Sequence, residues 1–386
     1  MALAAAGGLR LAGAVRADRD QPPFDRATVD GYAVRSADPA LGRRPLRVIE
    51  TVFAGASPRR RVRVGGAALV MTGAPVPAGA DAVVKREEAR LLDGGRSVLL
   101  PGRPGSGAGV HRRGSDVRRG GVAVEAGAEV TARVTAVLAA VGAARPEVLL
   151  PPRVAVGVTG DEIRAVASRQ LPAAGIRNSN GPTLEALVRA AGGIPLTLGA
   201  VGDREADLLR IARRGLRVAD VLILSGGVSA GDRDLVPAAL ERAGVRRIFH
   251  GVDLRPGKPA WFGVKGGRLV FGLPGNPVSA QATFALLVAP ALAALRGDPS
   301  PGPALHAARL EGMAPREGRR TAYRPARARR GRDGTLRVRL VPWNGSGDFV
   351  GFARANALLR REGSAAALRA GATVEVLLLD GPGGAA

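Results

Sequence analysis

The strongest constraint on the fold lies between Pro151 and Asp298, where apolar strand patterns alternate with amphipathic helix patterns. Strands connected by helices in this way pair side by side in a parallel sheet. The most apolar of these strands, Val221–Leu224, runs into a glycine-rich loop, and Val154–Val158 runs into Thr159-Gly160-Asp161-Glu162. Because open α/β sheets bind ligands where their strands end, we expect both loops at one cleft.

The other parts of the chain indicate further modules, as its length of 386 residues requires. Residues 21–121 contain short strand patterns broken by frequent Gly and Pro, which predicts a β-rich insertion module. It interrupts a small N-terminal module formed by residues 1–20 and 122–150, with an apolar helix near Thr131–Val141. We assign the α/β domain to residues 151–298 and a last domain to residues 299–386.

Composition excludes several classes of protein. The chain has no cysteine, which rules out disulfide frameworks and thiolate chemistry, and its three histidines stand far apart, which disfavours a zinc site. No uninterrupted apolar run reaches about 18 residues, and the start lacks the pattern of a secretory signal, so we expect a cytoplasmic protein with no membrane partner.

The net charge of +24 would suit a polyanion partner. However, all basic residues except Lys85, Lys258 and Lys265 are arginines scattered along the chain, a pattern typical of genome base composition. Aromatic residues make up only 3% of the chain, too few for an interface that stacks bases. We therefore expect no nucleic-acid partner.

The loop after Val221–Leu224 has a chemical and a structural interpretation. In the chemical interpretation, glycines let backbone N–H groups approach an anion and two serine hydroxyls add donors. These candidate anion ligands are Ser225, Gly226, Gly227, Ser229 and Gly231. Asp232 and Asp234 would repel a bound phosphate unless a hard cation such as Mg²⁺ lay between them, and Glu162 is a further candidate ligand of this metal. A tight turn with an aspartate as helix cap is the alternative interpretation.

Two later segments contain candidate anion sites. Arg255-Pro256-Gly257-Lys258-Pro259 holds two cations around a turn that the prolines stiffen, although an ordinary solvated turn explains this pattern equally well. Gly272-Leu273-Pro274-Gly275-Asn276-Pro277-Val278-Ser279 leads into a long helix, with Asn276 as its cap and Pro277 at its first position. Such a helix start binds anions, and structural capping is again the alternative.

In this order, the motifs resemble those of the molybdopterin molybdenumtransferase family, which includes the gephyrin E domain. The resemblance extends over almost the whole chain, and further matching segments are Pro22–Asp25, Val29–Arg35, Met71–Pro77, Gly345–Gly347 and Ala353–Asn356. It implies a multidomain α/β plus β protein whose residues 299–386 form a β-barrel. It also implies a homodimer with active sites shared between subunits, the β-rich module of one facing the α/β cleft of the other.

The function implied by the resemblance is an Mg²⁺-dependent transfer of molybdenum. Molybdenum from molybdate would be inserted into adenylylated molybdopterin, with release of AMP, during molybdenum cofactor biosynthesis. Transient contacts with proteins that supply molybdopterin and with molybdenum enzymes are also implied. A molybdopterin-binding regulatory or scaffold protein without catalysis is the alternative, because a fold does not fix a function.

Individual residues match the family's functional positions. Those that match catalytic positions are Asp30, Thr72, Asp116, Glu162, Asp203 and Asp234. Those that match cofactor-binding positions, besides the glycine-rich loop and the Pro274-Gly275-Asn276-Pro277 turn, are Arg255, Lys258, Arg324 and Ser346. Under the resemblance, Asp30, Thr72 and Asp116 approach the cleft from the partner subunit.

Overall fold

A computed structural model describes residues 1–229 and 235–379. The chain divides into two compact units, Met1–Leu149 and Leu150–Ala386. The finer domain boundaries at residues 20, 121 and 298 stay predictions.

The first unit consists mainly of short strands. In chain order, β1 to β12 are Arg10–Leu11, Val15–Arg16, Arg26–Ala27, Gly31–Val34, Leu46–Val52, Gly66–Val70, Ala82–Lys85, Arg90–Leu92, Ser97–Leu99, Val110–His111, Val122–Val124 and Val148–Leu149. Its helical segments are the 3₁₀ turns Leu3–Ala5, Arg86–Glu88 and Asp93–Gly95 and the helix α1, Ala132–Ala140. The largest sheet has the strand order β7-β4-β6-β5-β9-β8, which confirms the prediction of a β-rich module.

This sheet has an apolar layer on each face. Successive side chains of a strand point to opposite faces, so Tyr32 and Val34 of β4 pack in one cluster while Ala33 packs in another. All four residues of β4 are buried as a result. The strand that follows Asp30 is therefore held firmly on both sides.

Both ends of the first unit pair with each other. β1 is antiparallel to β12, and β2 is antiparallel to β11, so residues from the two flanks of the β-rich module share a core around Leu11, Val124 and Leu138. Thr131 caps α1, because its hydroxyl oxygen accepts a hydrogen bond from the Val134 N–H at 3.3 Å.

The second unit begins with the α/β region. Its strands, β13 to β21, are Arg153–Thr159, Ile163–Arg164, Ile176–Arg177, Ile194–Val201, Val221–Ser225, Arg246–His250, Leu254–Arg255, Trp261–Lys265 and Arg268–Leu273. Its α-helices, α2 to α6, are Asn180–Ala190, Glu205–Val218, Val236–Arg242, Pro277–Thr283 and Ala289–Leu295. The main sheet has the order β16-β13-β17-β21-β20-β18.

The predicted parallel sheet is confirmed for β16, β13, β17 and β21, which run parallel to one another. The antiparallel strands β20 and β18 extend it at one edge, a feature the sequence pattern did not predict. All five residues of β17 are buried because helices cover both faces. Leu222 and Leu224 pack towards α3 and α4, whereas Val221 and Ile223 pack towards α2 and the C-terminal helix of this region.

That helix runs from Pro277 to Leu295, with a π-helical segment, Phe284–Val288, between α5 and α6. The wider segment ends two residues before Pro290, which lacks an N–H and would clash with the preceding turn of a regular α-helix. By length and a mean hydropathy of 1.8 the helix could cross a membrane, although we expected no span from uninterrupted apolar runs. Phe284, Val288 and Leu292 instead pack in the core beside the sheet.

The predicted C-terminal barrel is confirmed. Its strands, β22 to β26, are Leu305–Leu310, Thr321–Arg330, Leu336–Leu340, Ala357–Arg361 and Thr373–Leu378, with the short helix α7, Phe349–Phe352, between β24 and β25. The strands pair in the order β23-β24-β22-β26-β25, and β25 pairs again with β23, which closes the barrel. β19 also pairs with β23 but is not one of the five barrel strands. Small and branched residues such as Ala326, Ala328 and Val338 fill the interior.

A buried ion pair lies in the barrel. Glu317 has a fully buried side chain, and its carboxylate accepts hydrogen bonds from Nε and a terminal nitrogen of Arg324, the latter at 3.2 Å. A buried carboxylate is stable only when it is paired, so removing its charge leaves the guanidinium uncompensated.

Glu317→Gln is expected to lower the free energy of unfolding by about 3 kcal/mol, because it breaks a pair withdrawn from solvent. Glu311→Gln is the matched control, since Glu311 pairs at 2.7 Å with Arg329, whose side chain is 60% exposed. This control is expected to cost less than about 1 kcal/mol. Urea unfolding followed by circular dichroism measures both, and equal losses would contradict the distinction.

Candidate active site

Loops that follow three neighbouring parallel strands meet at one cavity of about 480 Å³. β13 ends at Thr159, β17 at Ser225 and β21 at Leu273, so their carboxyl ends share the edge where ligands of such sheets bind. The cavity brings together these residues from the sequence-based prediction: Glu162, Asp203, Ser225, Gly226, Gly227, Ser229, Pro274, Asn276 and Pro277. Their chemical roles stay predictions.

Gly226 is required by packing. It has a φ of 104°, and a Cβ placed on it would lie 2.4 Å from the Thr159 carbonyl oxygen. Its N–H donates to the Leu273 carbonyl at 3.0 Å, so this N–H stabilises the loop. The tight-turn interpretation therefore holds for Gly226, and any anion contact must come from other groups of the loop.

Ser225 takes part in a buried network that connects three segments. Its hydroxyl donates to the Pro274 carbonyl at 3.1 Å and accepts from the Asn180 side-chain amide at 2.9 Å. The same Asn180 amide donates to the Gly275 carbonyl at 2.8 Å. These bonds join the start of α2 to the ends of β17 and β21. The Ser225 hydroxyl, which we expected to donate to an anion, donates to the protein instead.

Asn180 is the principal residue of the cavity that sequence reasoning missed. Neither Ser179 nor Asn180 caps α2 with its side chain. Asn178 caps the helix instead, because its side-chain oxygen Oδ1 accepts a hydrogen bond from the Gly181 N–H at 2.9 Å. The Asn178-Ser179-Asn180 pattern indicates a helix start. Which of the two asparagine amides caps the helix and which faces the interior depends on the geometry of the first turn.

The acidic side of the cavity carries Glu162 and Asp203. Glu162 is exposed, and its carboxylate lies back over Gly160. The neighbouring Asp161 accepts a hydrogen bond from the Asp203 N–H at 3.1 Å and thereby links the loops after β13 and β16. Asp161 has a structural role here, while the residues Glu162 and Asp203 line the cavity.

The metal prediction rests on Asp232, Asp234 and Glu162. Asp232 and Asp234 lie outside the described residues, as does Gly231. Within residues 1–229 and 235–379, no group of three or more His, Asp or Glu could hold a metal ion. Mg²⁺ commonly takes one or two protein carboxylates and completes its shell with water and substrate phosphates, and the carboxylates of Glu162 and Asp203 fit that requirement.

Of the two predicted cations, Arg255 is the last residue of β19 and Lys258 lies in the turn that follows it. Arg255 and Lys258 are exposed, and the next residue, Pro259, lines the cavity. Gly257 lies against α5, where an added Cβ would be 2.4 Å from the Thr283 methyl carbon, so only glycine fits. The turn is therefore fixed against the α/β region rather than loosely solvated.

Two barrel residues matched the family's cofactor-binding positions, and the structure places them differently. The Ser346 hydroxyl accepts from the Asn276 side-chain amide at 3.0 Å, which brings Ser346 to the cavity's edge. Asn276 is the N-cap of α5 and Pro277 its first residue, as predicted, but the Asn276 side chain makes no cap bond and its amide donates to Ser346. Arg324 is bound to Glu317 and is not among the described residues that line the cavity.

In the first unit, Asp30 and Thr72 are directly bonded. The Thr72 hydroxyl and backbone N–H both donate to the Asp30 Oδ1, each at 2.6 Å. The hydroxyl first and the N–H second hold the pKa of Asp30 below its usual value, since both bonds stabilise the ionised form. Asp30 is therefore an ionised, oriented carboxylate at neutral pH.

Asp116, also in the first unit, contacts a histidine side chain. Its Oδ1 is 2.8 Å from the His111 Nε2. His111 is paired across β10 and β3 with Arg26, and Arg26 in turn bridges to Pro75 in the turn that contains Thr72. The structure thus places the three predicted residues of this unit, Asp30, Thr72 and Asp116, on connected backbone segments.

Three family models match consecutive segments of the chain. They are described as the MoeA N-terminal region (domain I and II) for residues 1–142, a probable molybdopterin binding domain for residues 155–294, and the MoeA C-terminal region (domain IV) for residues 307–379. The α/β cavity, the β-rich unit and the closed barrel thus define a MoeA-type protein.

Similar proteins agree with this class. The molybdopterin molybdenumtransferase of Bacillus subtilis (strain 168) is 34% identical over 375 residues, 96% of this chain and 87% of its own length. That of Staphylococcus aureus (strain Mu50) is 31% identical over 96% of this chain and 88% of its own. The crystal structure of a MoeA protein from Pyrococcus horikosii superposes with a TM-score of 0.83 at 32% identity, covering 99% of this chain and 94% of that one. The chain therefore belongs to the molybdopterin molybdenumtransferase family, which confirms the resemblance.

Thr72→Val is expected to raise the pKa of Asp30, because it removes the larger of the two bonds that stabilise the carboxylate. Because the pKa of Asp30 is lowered in the folded state, this bond stabilises the protein at pH values above the pKa of the unfolded chain. That stabilisation is lost as the pH falls through the folded-state pKa. The destabilisation caused by Thr72→Val should accordingly be present at neutral pH and vanish in acid.

Carboxyl-carbon NMR titration measures this pKa directly. Thr51→Val, an exposed position on β5, is the control and should leave the Asp30 titration unchanged. An unaltered Asp30 pKa in Thr72→Val would show that the hydroxyl does not hold the carboxylate.

Proposed function

We propose that this protein inserts molybdenum from molybdate into adenylylated molybdopterin and releases AMP. The proposal is carried by the cavity at the ends of β13, β17 and β21, in a chain that matches curated molybdopterin molybdenumtransferases over 96% of its length. A volume of about 480 Å³ suits a substrate of this size.

The cavity's own groups support binding of an anionic substrate. The exposed cations Arg255 and Lys258, beside the cavity, attract molybdate and the phosphates. Arginine donates paired hydrogen bonds to an oxyanion, and lysine adds a compact charge. The start of α5 at Pro277 presents the positive end of a helix to the same space.

Mg²⁺ completes the proposed site. Glu162, with Asp232 and Asp234, would hold it, and Asp203 would support that acidic cluster. The ion would neutralise the phosphoanhydride and so favour departure of AMP. Without such a cation, these carboxylates would repel the substrate's phosphates.

We further propose that a second copy of the chain completes the site. The first unit offers the ionised Asp30, held by Thr72, together with Asp116. Asp30 and Asp116 match catalytic positions of the family, so we expect each of them to face a substrate cleft. A two-fold dimer provides two equivalent clefts. Proteins that supply molybdopterin and enzymes that receive the product are the proposed transient partners, and the cytoplasm is the proposed location.

The purified chain, given adenylylated molybdopterin and molybdate, should release AMP only when molybdate is present. Excess EDTA should abolish release, and added Mg²⁺ should restore it, because carboxylates and phosphates are ligands that Mg²⁺ prefers. Chromatographic quantification of AMP and reconstitution of a molybdenum enzyme measure the two products. Tight molybdopterin binding without AMP release would favour the scaffold alternative, and turnover in excess EDTA would contradict the metal assignment.

Mixing two inactive variants tests the shared site. Asp30→Asn and Glu162→Gln should each be nearly inactive alone, because every cleft then lacks a carboxylate. After subunit exchange, about half of the dimers are mixed and each contains one intact cleft, so activity should return to roughly a quarter of wild type. Each variant passed alone through the same exchange is the control. Verified exchange without recovery would show that both carboxylates act within one chain.

A further inference from the structure

The side chain of His111 links two charged residues of the first unit. It lies directly opposite Arg26 across the β10–β3 pair, and a guanidinium nitrogen of Arg26 is 3.2 Å from its Nδ1. On its other side, His111 Nε2 is 2.8 Å from the Asp116 Oδ1. We propose that His111 is a positioning residue that orients Asp116 for the reaction, an inference that rests on the proposed function.

The roles of the ring nitrogens follow from the partners. Arginine has only donors, so the Nδ1 that faces Arg26 must accept. The ring then carries its single hydrogen on Nε2, which donates to Asp116. Arg26 thereby fixes the tautomer, and the Arg26–His111–Asp116 chain is directional.

This contact holds one oxygen of Asp116 and leaves the other for a ligand. Asp116 is 56% exposed, so without a donor its carboxylate would rotate among solvated orientations. The described structure gives Asp30 the same arrangement, with both Thr72 bonds on Oδ1. Both carboxylates predicted to reach the cleft are thus oriented by a protein donor at a single oxygen, and such orientation before binding lowers the barrier to reaction.

The neighbouring cations do not perform this task. Arg112 is paired with Asp25 at 2.8 Å, and Arg113 is paired with Asp20 at 2.6 Å. A neutral imidazole donor also differs from a guanidinium because it orients Asp116 without cancelling its charge. The carboxylate keeps its full negative charge for a cation or a proton at the reacting end of the substrate.

Imidazole nitrogen NMR tests the contact without any assay of activity. The chain has three histidines, so the spectrum is simple, and His111→Gln identifies the signals of His111. We expect the Nε2–H tautomer in the wild type and a shift of the Nε2 signal in Asp116→Asn. A ring with its hydrogen on Nδ1, or one unaffected by Asp116→Asn, would overturn the proposed chain.

Kinetics test the function of the contact. His111→Phe should lower kcat about tenfold, with KM changed less than about twofold, because orientation rather than binding is lost. His111→Gln, whose amide can still donate, should keep most of the activity. In an Asp116→Asn background, His111→Phe should cause no further loss, since residues that act as one unit are non-additive. The control His306→Ala, in β22 of the barrel, should match the wild type.

The outcomes separate this inference from the proposed function. If His111→Phe lowers kcat by the same factor in the wild type and in the Asp116→Asn background, His111 does not act through Asp116. Wild-type protein that releases no AMP would refute the proposed function, while the NMR result would still decide whether His111 orients Asp116.

Discussion

The geometry of the cavity depends on one side-chain amide, that of Asn180. This buried group donates to the Ser225 hydroxyl and to the Gly275 carbonyl, and Ser225 passes the connection on to Pro274. Without the amide, the buried Ser225 oxygen would lose its donor, at a cost of about 1–3 kcal/mol. The strand ends would also lose the bond that sets their spacing, so stability and ligand geometry depend on the same contact.

Local patterns predicted the α/β fold well because its elements are locally encoded. The buried run at Val221 and the amphipathic face of α3, with Leu208 and Ile211, signal a central strand and a covering helix. The antiparallel strands β18 and β20 were missed because an edge strand has the same local pattern in either direction. Their direction is decided by the pairing of β20 with β21 and of β18 with β20, which sequence periodicity does not contain.

The candidate site was less predictable than the fold for the same physical reason. Gly226 and Gly257 were recognised as turn residues, since close backbone packing requires glycine at both places. Partners of polar side chains were not recognised, because they come from distant segments. Asn276 occupies the predicted cap position, but its side-chain amide bonds Ser346 seventy positions away, and Arg324 is paired with Glu317. A side chain's type limits which bonds it can make, and tertiary packing selects among them.

Both units carry carboxylates at the residues predicted to act on the substrate, and the proposed substrate is itself an anion. The first unit presents Asp30 ionised, with a pKa lowered by Thr72, and the second presents Glu162 and Asp203 at its cavity. Carboxylates of this kind would oppose an anionic substrate, which makes a cation necessary rather than optional in the proposed reaction. Under that proposal, the donors Thr72 and His111 orient the carboxylates and so fix where a cation or proton is held.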